Sequence, residues 1–539
     1  MQKLLLLGDE AIAQGALDAG LSGIYAYPGT PSTEITEYVQ HSKYAQENNI
    51  HSTWSANEKT AMEAALGMSY AGKRAMVCMK HVGLNVAADP FINSAITGAN
   101  GGLIIVTADD PSMHSSQNEQ DSRVLGKFAL VPILEPSNQQ EAYDMVHYGF
   151  EFSEKFKIPV MLRITTRMAH SRAGVIRRPR KAQNNIHLPD DLRQFVLLPA
   201  IARKRYKKLL ADYNVFSSES EESSFNRYID APDKSQGIIA CGIAYNYLLE
   251  NYPDRKVPHP VLKIGQYPLP RKHVNRIVEE SEEALVLEDG YPMIEELIKG
   301  YLGTGPRIRG RLDNTIHRDG ELNPNIVAHA LRLKNTYGFP TPDLVVDRPP
   351  QLCTGCPHID SYKALNEALI NLPKGRVFSD IGCYTLGALA PYEAINTCVD
   401  MGASITMAKG AADAGLVPAV AVIGDSTFAH SGMTGLLDAI YDRSPITVFI
   451  LDNETTAMTG GQESVAIHQI ESICKGLGIE EDHLRIIKPL KKFHKENVKI
   501  ISEELAYQGV SVIIPRRECI VAVDKRMRDK FRDKVKIQA

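Results

Sequence analysis

At 539 residues, with 44% hydrophobic and 23% charged side chains, the chain has an ordinary globular composition and is too long for a single core, so about three domains are expected. A formal net charge of −4 supplies no basic field for nucleic acid. No apolar run approaches the roughly 18 residues of a membrane span, and the leading Met1–Gly8 run is too short for a secretory signal. Eight cysteines in such a chain point to a reducing, cytoplasmic setting, where spaced cysteines serve as metal ligands or packing residues more often than as disulfides.

In chain order, residues 1–175 alternate between strand and helix. Gly23–Tyr27 reads as a strand running into Pro28-Gly29-Thr30-Pro31-Ser32, a loop whose Thr or Ser can cap a helix from Glu34. Glu58–Gly72 reads as a helix, and Arg74–Met79 and Gly102–Thr107 as buried strands, which together predict a parallel sheet covered by helices. Glu58 opens its helix, a place where the helix dipole favours a glutamate in any protein. The polar run Asp109–Arg123 just past a strand end is either a solvated loop or an active-site loop. Residues 176–235 turn basic and polar and read as a surface linker, partly helical. A second α/β unit at 236–305 has strands at Gly237–Gly242 and Ala284–Leu287. A connector with Gly303, Gly305 and Gly310 leads to a third α/β unit at 340–525, and residues 526–539 form a basic tail. By pattern alone, the first and third units are expected to share a fold.

The most informative stretch lies in the third unit. Ala419–Ile423 and Ile446–Leu451 are small, apolar and β-branched, and helix-like Ser431–Tyr441 lies between them. The first run leads into Gly424-Asp425-Ser426 and the second into Asn453, 28 residues after the aspartate. Such an arrangement sets an aspartate and an asparagine side by side at the carboxyl ends of neighbouring parallel strands, where open α/β sheets bind ligands. Gly-Asp-Ser and Asp-Asn are also common turn residues. The spacing, the two apolar strands and the following Gly460-Gly461 resemble the diphosphate–Mg²⁺ motif of thiamine diphosphate (ThDP) enzymes. In that reading Asp425, the Asn453 side chain and the Thr455 carbonyl ligate Mg²⁺, and Gly424, Ser426, Gly460 and Gly461 let backbone N–H groups approach the diphosphate.

Cys353-Thr354-Gly355-Cys356 is a Cys-x2-Cys pair; Cys383 follows in Gly382-Cys383-Tyr384, and Cys519 lies far downstream. Four thiolates suit zinc or an iron–sulfur cluster, and spacing alone leaves both open, along with plain burial of Cys383 and Cys519. Cys78, Cys241, Cys398 and Cys474 sit in apolar contexts and read as packing residues.

Taken together, Tyr27–Ser32, Asn57-Glu58-Lys59, Lys80–Asn85, Asp109–Arg123, Cys353–His358, Gly382–Gly387, Met401–Ser404 and Gly424–Gln462 resemble the 2-oxoacid:ferredoxin oxidoreductases, closest to the large ThDP-carrying subunits of the indolepyruvate type. The resemblance covers nearly the whole chain. It implies ThDP-binding modules flanking a transketolase C-terminal-like middle domain, with Mg²⁺ and ThDP in the third unit. Glu58 matches the glutamate that activates the cofactor, and Thr30 matches a substrate-side threonine. Cys353, Cys356, Cys383 and Cys519 match the ligands of one [4Fe-4S] cluster. The implied reaction is oxidative decarboxylation of an aryl-2-oxo acid such as indolepyruvate, with the acyl group passed to coenzyme A. Electrons then leave through the cluster and a smaller β subunit to ferredoxin, in a cytoplasmic hetero-oligomer. Two departures stand out. Asp109 lies near the place where the related pyruvate enzymes hold the substrate carboxylate with an arginine, which leaves His81, His114 or Arg123 to take that role. No cysteine follows Cys519, where relatives of this type continue into a ferredoxin-like domain, so electrons are expected to leave through another subunit or an external carrier. Lys525, Arg526, Arg528, Lys530, Arg532, Lys534 and Lys536 suit an acidic carrier or, with interspersed acids, an ordinary solvated helix. A non-redox ThDP decarboxylase is the runner-up, and it needs no cysteine set. A non-catalytic partner of the same fold would not need Glu58, Asp425 and Asn453 together.

Overall fold

The computed structural model describes residues 3–300, 305–334, 342–346 and 350–528. Two units divide the chain, Met1–Pro340 and Thr341–Ala539.

In the first unit the strands are β1 (Lys3–Leu7), β2 (Gly23–Ala26), β3 (His51–Trp54), β4 (Ala75–Lys80), β5 (Leu103–Asp109), β6 (Ile133–Leu134), β7 (Val160–Thr165), β8 (Arg172–Ile176), β9 (Arg227–Ile229), β10 (Gly237–Cys241), β11 (Val261–Ile264), β12 (Gln266–Tyr267), β13 (Ala284–Leu287) and β14 (Ile308–Arg309). A seven-stranded sheet runs in the order β12-β6-β7-β5-β4-β2-β3 and is parallel except for the edge strand β12. Every residue of β4, β5 and β7 is buried, which is why these strands read as unbroken apolar runs rather than alternating ones. A second sheet has the order β14-β13-β10-β11-β9, and β1 pairs antiparallel with β8.

The middle sheet reaches past residues 236–305. It takes β9 before that range and β14 after it, while β12 from within the range pairs with β6 of the first sheet. The segment read as a linker holds a 23-residue helix, Pro199–Glu221, whose Phe216 packs against Phe152 and Phe156. Buried ion pairs tie the two sheets together. Arg163 on β7 binds Asp109 (2.8 Å) and Glu135 (2.6 Å), and donates to the Asp289 carbonyl beyond β13 (2.7 Å). Arg123 binds Asp121 (2.5 Å) and Glu288 (3.1 Å).

The second unit holds β15 (Val377–Ser379), β16 (Ala419–Gly424), β17 (Ile446–Leu451), β18 (Leu484–Ile487) and β19 (Ser511–Pro515), all parallel, in the order β15-β16-β17-β19-β18. The two-residue period of a strand splits β16 between two cores: Ala419, Ala421 and Ile423 face Leu436 and Ile450, while Val420 and Val422 face Tyr362 and Ile501. The sheets of the two units share a strand order, β4-β5-β7-β6 against β16-β17-β19-β18. The helix after β16 begins at Asp425 itself rather than near Ser431; a π-helical turn at Phe428–Gly432 joins Asp425–Thr427 to Met433–Tyr441. Among the described residues no helix is long and apolar enough to cross a membrane.

Candidate cofactor and active site

The register of β16 and β17 places Gly424 opposite Leu451, so Asp425 and the pair Asp452-Asn453 emerge at the same edge of the sheet. A Cβ on Gly424 would stand 2.6 Å from the Tyr384 ring, so only glycine lets the strand end here. Asp425 is buried. Its Oδ1 accepts the Ser426 N–H (2.6 Å), the backbone N–H groups of Asn453 and Glu454 face the carboxylate, and its Oδ2 has no partner at hydrogen-bond geometry. Burial, and then the nearby Asp452, push its carboxyl up to about 7. Asp452 is itself tied to Arg516 (2.7 Å). The Asn453 amide oxygen accepts the Thr455 N–H (3.3 Å), and Thr455 bonds through its hydroxyl to the Gln462 carbonyl (3.1 Å). A hydroxyl–hydroxyl bond from Thr456 to Ser426 (2.9 Å) clips the two strand-end turns together. Gly460 and Gly461 take left-handed conformations (φ 119° and 84°), and the space where a Gly461 side chain would stand meets only the Thr455 hydroxyl, at 3.8 Å. A buried carboxylate oxygen without a donor, flanked by neutral oxygens, fits a hard dication such as Mg²⁺.

The four candidate ligand cysteines gather beside this edge. Cys353 and Cys356 share a turn (3.0 Å from N–H to carbonyl), and Cys519 donates its backbone N–H to the Asn453 carbonyl (3.1 Å). Burial, then Cys356, Cys519 and Asp425, push the Cys383 thiol up to about 12; burial, then Cys353 and Cys519, raise Cys356 to about 11. The thiols thus sense one another and the Asp425 carboxylate. Yet among the described residues no three of their sulfurs lie within 4.8 Å of one another. Four thiols gathered in this way can serve a zinc ion or an iron–sulfur cluster. Cys398, expected in a core, is exposed on an irregular segment, whereas Cys78, Cys241 and Cys474 are buried as expected.

His358, unassigned from sequence, lies between the two groups. Its Nε2 is 3.4 Å from the Cys383 sulfur and 3.3 Å from the Asn453 amide nitrogen, and burial lowers its ring to about 4, so it is a neutral imidazole. Its only sequence signal was its place two residues after Cys356. Lys525, read as part of either a docking tail or an ordinary solvated helix, donates to the Gly460 carbonyl (2.9 Å), and Arg526 pairs with Glu518 (2.7 Å). Lys530, Arg532, Lys534 and Lys536 lie outside the described residues.

In the first unit, Thr30 and Lys80 stand at the carboxyl ends of the neighbouring strands β2 and β4. Lys80 is buried; it donates to the Ser115 carbonyl (2.8 Å), and the Ser115 hydroxyl donates to the Thr30 carbonyl (3.3 Å). Burial lowers the Lys80 ammonium to about 8, against the pull of Asp110. Glu58 opens helix Glu58–Tyr70 behind an Asn57 cap that accepts the Thr60 N–H (2.9 Å), and its carboxylate is buried against Gly83. His81 is buried with the Asn118 amide facing it, and burial lowers its ring. Of the cations proposed to replace the missing arginine, Arg123 is fully buried in its ion pairs and presents nothing to a ligand. His114 is held by Glu321 (3.2 Å). The Asp109–Arg123 loop is likewise anchored at both ends by buried residues, and only its middle is exposed.

Two family models match the chain. One, described as pyruvate flavodoxin/ferredoxin oxidoreductase, thiamine diphosphate-binding, covers residues 14–231, which include Thr30, Glu58 and Lys80. The other, thiamine pyrophosphate enzyme, C-terminal TPP-binding domain, covers 380–509, which include Cys383, Asp425 and Asn453. The indolepyruvate oxidoreductase subunit IorA of Archaeoglobus fulgidus is 38% identical over 96% of this chain and 87% of its own length. The chain belongs to the IorA family of 2-oxoacid oxidoreductase subunits. The Pyrococcus abyssi IorA subunit is also 38% identical, over 96% of this chain and 86% of that one. A solved 2-oxoglutarate:ferredoxin oxidoreductase from Magnetococcus marinus superposes with a TM-score of 0.49 at 15% identity, over 61% of this chain and 65% of that one; so remote a match assigns nothing here. As a member of the IorA family the chain binds ThDP and takes part in ThDP-dependent oxidation of a 2-oxo acid.

Proposed function

We propose that the chain is the ThDP-carrying subunit of an indolepyruvate-type oxidoreductase in the cytoplasm. It takes an aryl-2-oxo acid, passes the acyl group to coenzyme A, and sends electrons through one [4Fe-4S] cluster and a smaller partner subunit to ferredoxin. The observation that carries this reading is the closeness of the cysteine set to the strand-end motif: Cys519 bonds to the Asn453 backbone, and His358 lies against both Cys383 and Asn453. A non-redox decarboxylase would have no use for thiols there.

In this reading Asp425 Oδ2, the Asn453 side-chain oxygen and the Thr455 carbonyl hold Mg²⁺, and the N–H groups around Ser426 and Gly460-Gly461 receive the diphosphate. When bound, ThDP would supply an electron sink for the pair left on the 2-oxo carbon as carbon dioxide departs. Glu58, from the first unit of this chain or of a second copy, would hydrogen-bond the aminopyrimidine ring and move the activating proton. Thr30 and His81 line the substrate side, and Lys80 supplies the positive charge for the substrate carboxylate. Cys353, Cys356, Cys383 and Cys519 hold the cluster, and the neutral His358 ring spaces it from Asn453.

The test is anaerobic purification followed by iron, sulfide and zinc analysis. A brown chain absorbing near about 400 nm, and losing that colour on Cys383→Ala, is expected. A colourless, zinc-containing chain that still decarboxylates would replace this reading with the decarboxylase. Co-purification from the native source is expected to bring the smaller subunit with it.

A further inference from the structure

The first unit carries a second cluster of metal-ligating side chains away from the residues assigned above. Leu7 of β1 lies opposite Arg172 of β8, and the Gly8 N–H donates to the Ser171 carbonyl (3.2 Å). This register brings Asp9, at the start of helix Gly8–Asp18, toward His170, at the end of helix Thr166–His170. Gly8 permits the approach, because a Cβ there would collide with the Met168 carbonyl. Glu34 joins from the first turn of helix Thr33–His41. One ligand atom from each of Asp9, Glu34 and His170 lies within 4.8 Å of the others, with His170 Nε2 3.7 Å from Glu34 Oε1.

Asp9 is fully buried, and neither of its oxygens receives an N–H or O–H from the protein; Glu34 Oε2 is buried in the same state. What faces Asp9 is more acid, Glu34 and Glu10, and burial followed by these charges raises its carboxyl. Glu10 is occupied by the Leu7 N–H (2.8 Å). Asp9 is out of water with the Glu34 carboxyl against it, although the Glu34 side chain is itself partly exposed, and such a buried carboxylate needs positive charge beside it, either a proton shared with Glu34 or a metal ion. A shared proton needs only the two oxygens. Here a third donor, an imidazole on a separate helix, completes the set, and its half-exposed side leaves room for water ligands.

We propose that Asp9, Glu34 and His170 form a binding site for a first-row divalent cation such as Mn²⁺. Two carboxylates with one imidazole suit Mn²⁺, Fe²⁺ or Zn²⁺ better than the all-oxygen shells of Mg²⁺ or Ca²⁺. The ion fastens three helix ends, one of them directly behind the Thr30 loop, whose Gly29 N–H donates to the Thr33 hydroxyl (3.0 Å).

The test loads the full chain, holding Mg²⁺ and ThDP, with Mn²⁺ and records pulsed electron paramagnetic resonance. The diphosphate-side ligands proposed above include no histidine, so imidazole ¹⁴N modulation reports this site and does not depend on turnover. One Mn²⁺ per chain with that modulation is expected. His170→Ala is expected to abolish the modulation and to weaken Mn²⁺ binding by more than about tenfold; Asp9→Asn should do likewise. Because His170 is half-exposed, its variant reports even where Asp9→Asn fails to fold. Absence of imidazole-bound Mn²⁺ in the wild type, or an unchanged signal in His170→Ala, overturns the proposal in favour of a proton shared by Asp9 and Glu34.

Discussion

Gly83 offers a clean test of Glu58. An ideal Cβ on Gly83 would lie 2.5 Å from Glu58 Oε1, 2.7 Å from its Cγ and 2.8 Å from its Cδ. Ordinary contacts begin near about 3.5 Å, so Gly83→Ala forces the carboxylate back by roughly 0.7–1 Å. The obstacle is the end of a flexible side chain, and helix His81–Val86 accepts alanine, so folding should be almost unaffected. A catalytic group misplaced by about 1 Å costs on the order of 100-fold in rate. Gly83→Ala is therefore expected to lower turnover by about 10- to 100-fold while ThDP affinity and melting temperature stay put. Gly67 is the control: it lies on the same helix as Glu58, and its Cβ would meet nothing within 4 Å. Gly67→Ala should add roughly 0.5–1 kcal/mol of stability and leave turnover alone. The assay is kcat with an aryl-2-oxo acid, together with nuclear magnetic resonance of proton exchange at ThDP C2. Wild-type exchange and turnover in Gly83→Ala would remove Glu58 from its proposed role.

Three further outcomes follow from the site and its support. Lys80 is charged below its shifted value of about 8 and neutral above it, so KM for an anionic substrate should be flat at lower pH and climb toward about tenfold per unit above 8; Lys80→Met should raise KM at pH 7 and erase the dependence, and a pH-independent wild-type KM would exclude the lysine. An unfolded lysine titrates near about 10.4, so between pH 8 and that value the unfolded chain holds the extra proton, and the Lys80 contribution to stability rises with pH across the window. His358→Ala should retain iron, shift the cluster potential in redox-titrated paramagnetic resonance, and weaken Mg²⁺–ThDP binding by about tenfold; no change in either would leave His358 a packing residue. Arg163→Met strips Asp109 and Glu135 of their buried partner and should cost about 3–5 kcal/mol in denaturant unfolding of the first unit. A loss below about 1 kcal/mol would show that the network adds little to stability.

Much of the cofactor motif was legible because short-range physics writes it locally. Strands buried on both faces demand unbroken apolar runs, and Ala419–Ile423 and Ile446–Leu451 show them, so the residues that follow had to emerge at a sheet edge. The order of Cys353, Cys356, Cys383 and Cys519 was equally plain, but not that they would gather beside the Asp425–Asn453 edge. Other features belong to the tertiary structure. Arg123 looked like a free cation in a polar loop; only the packing of that loop on Glu288 shows its charge already spent. The helix after β16 starts at Asp425 because a π-helical turn absorbs residues that read as loop. His358 and Lys80 acquire meaning from neighbours distant in sequence, Asn453 in one case and Thr30 in the other. The same holds for Asp9 and His170, which meet because β1 and β8 pair in one register. Burial period and turn chemistry act over a few residues and can be read along the chain. Which charge meets which is set by strand register and by helix ends brought together from distant segments, and that information exists only once the chain has folded.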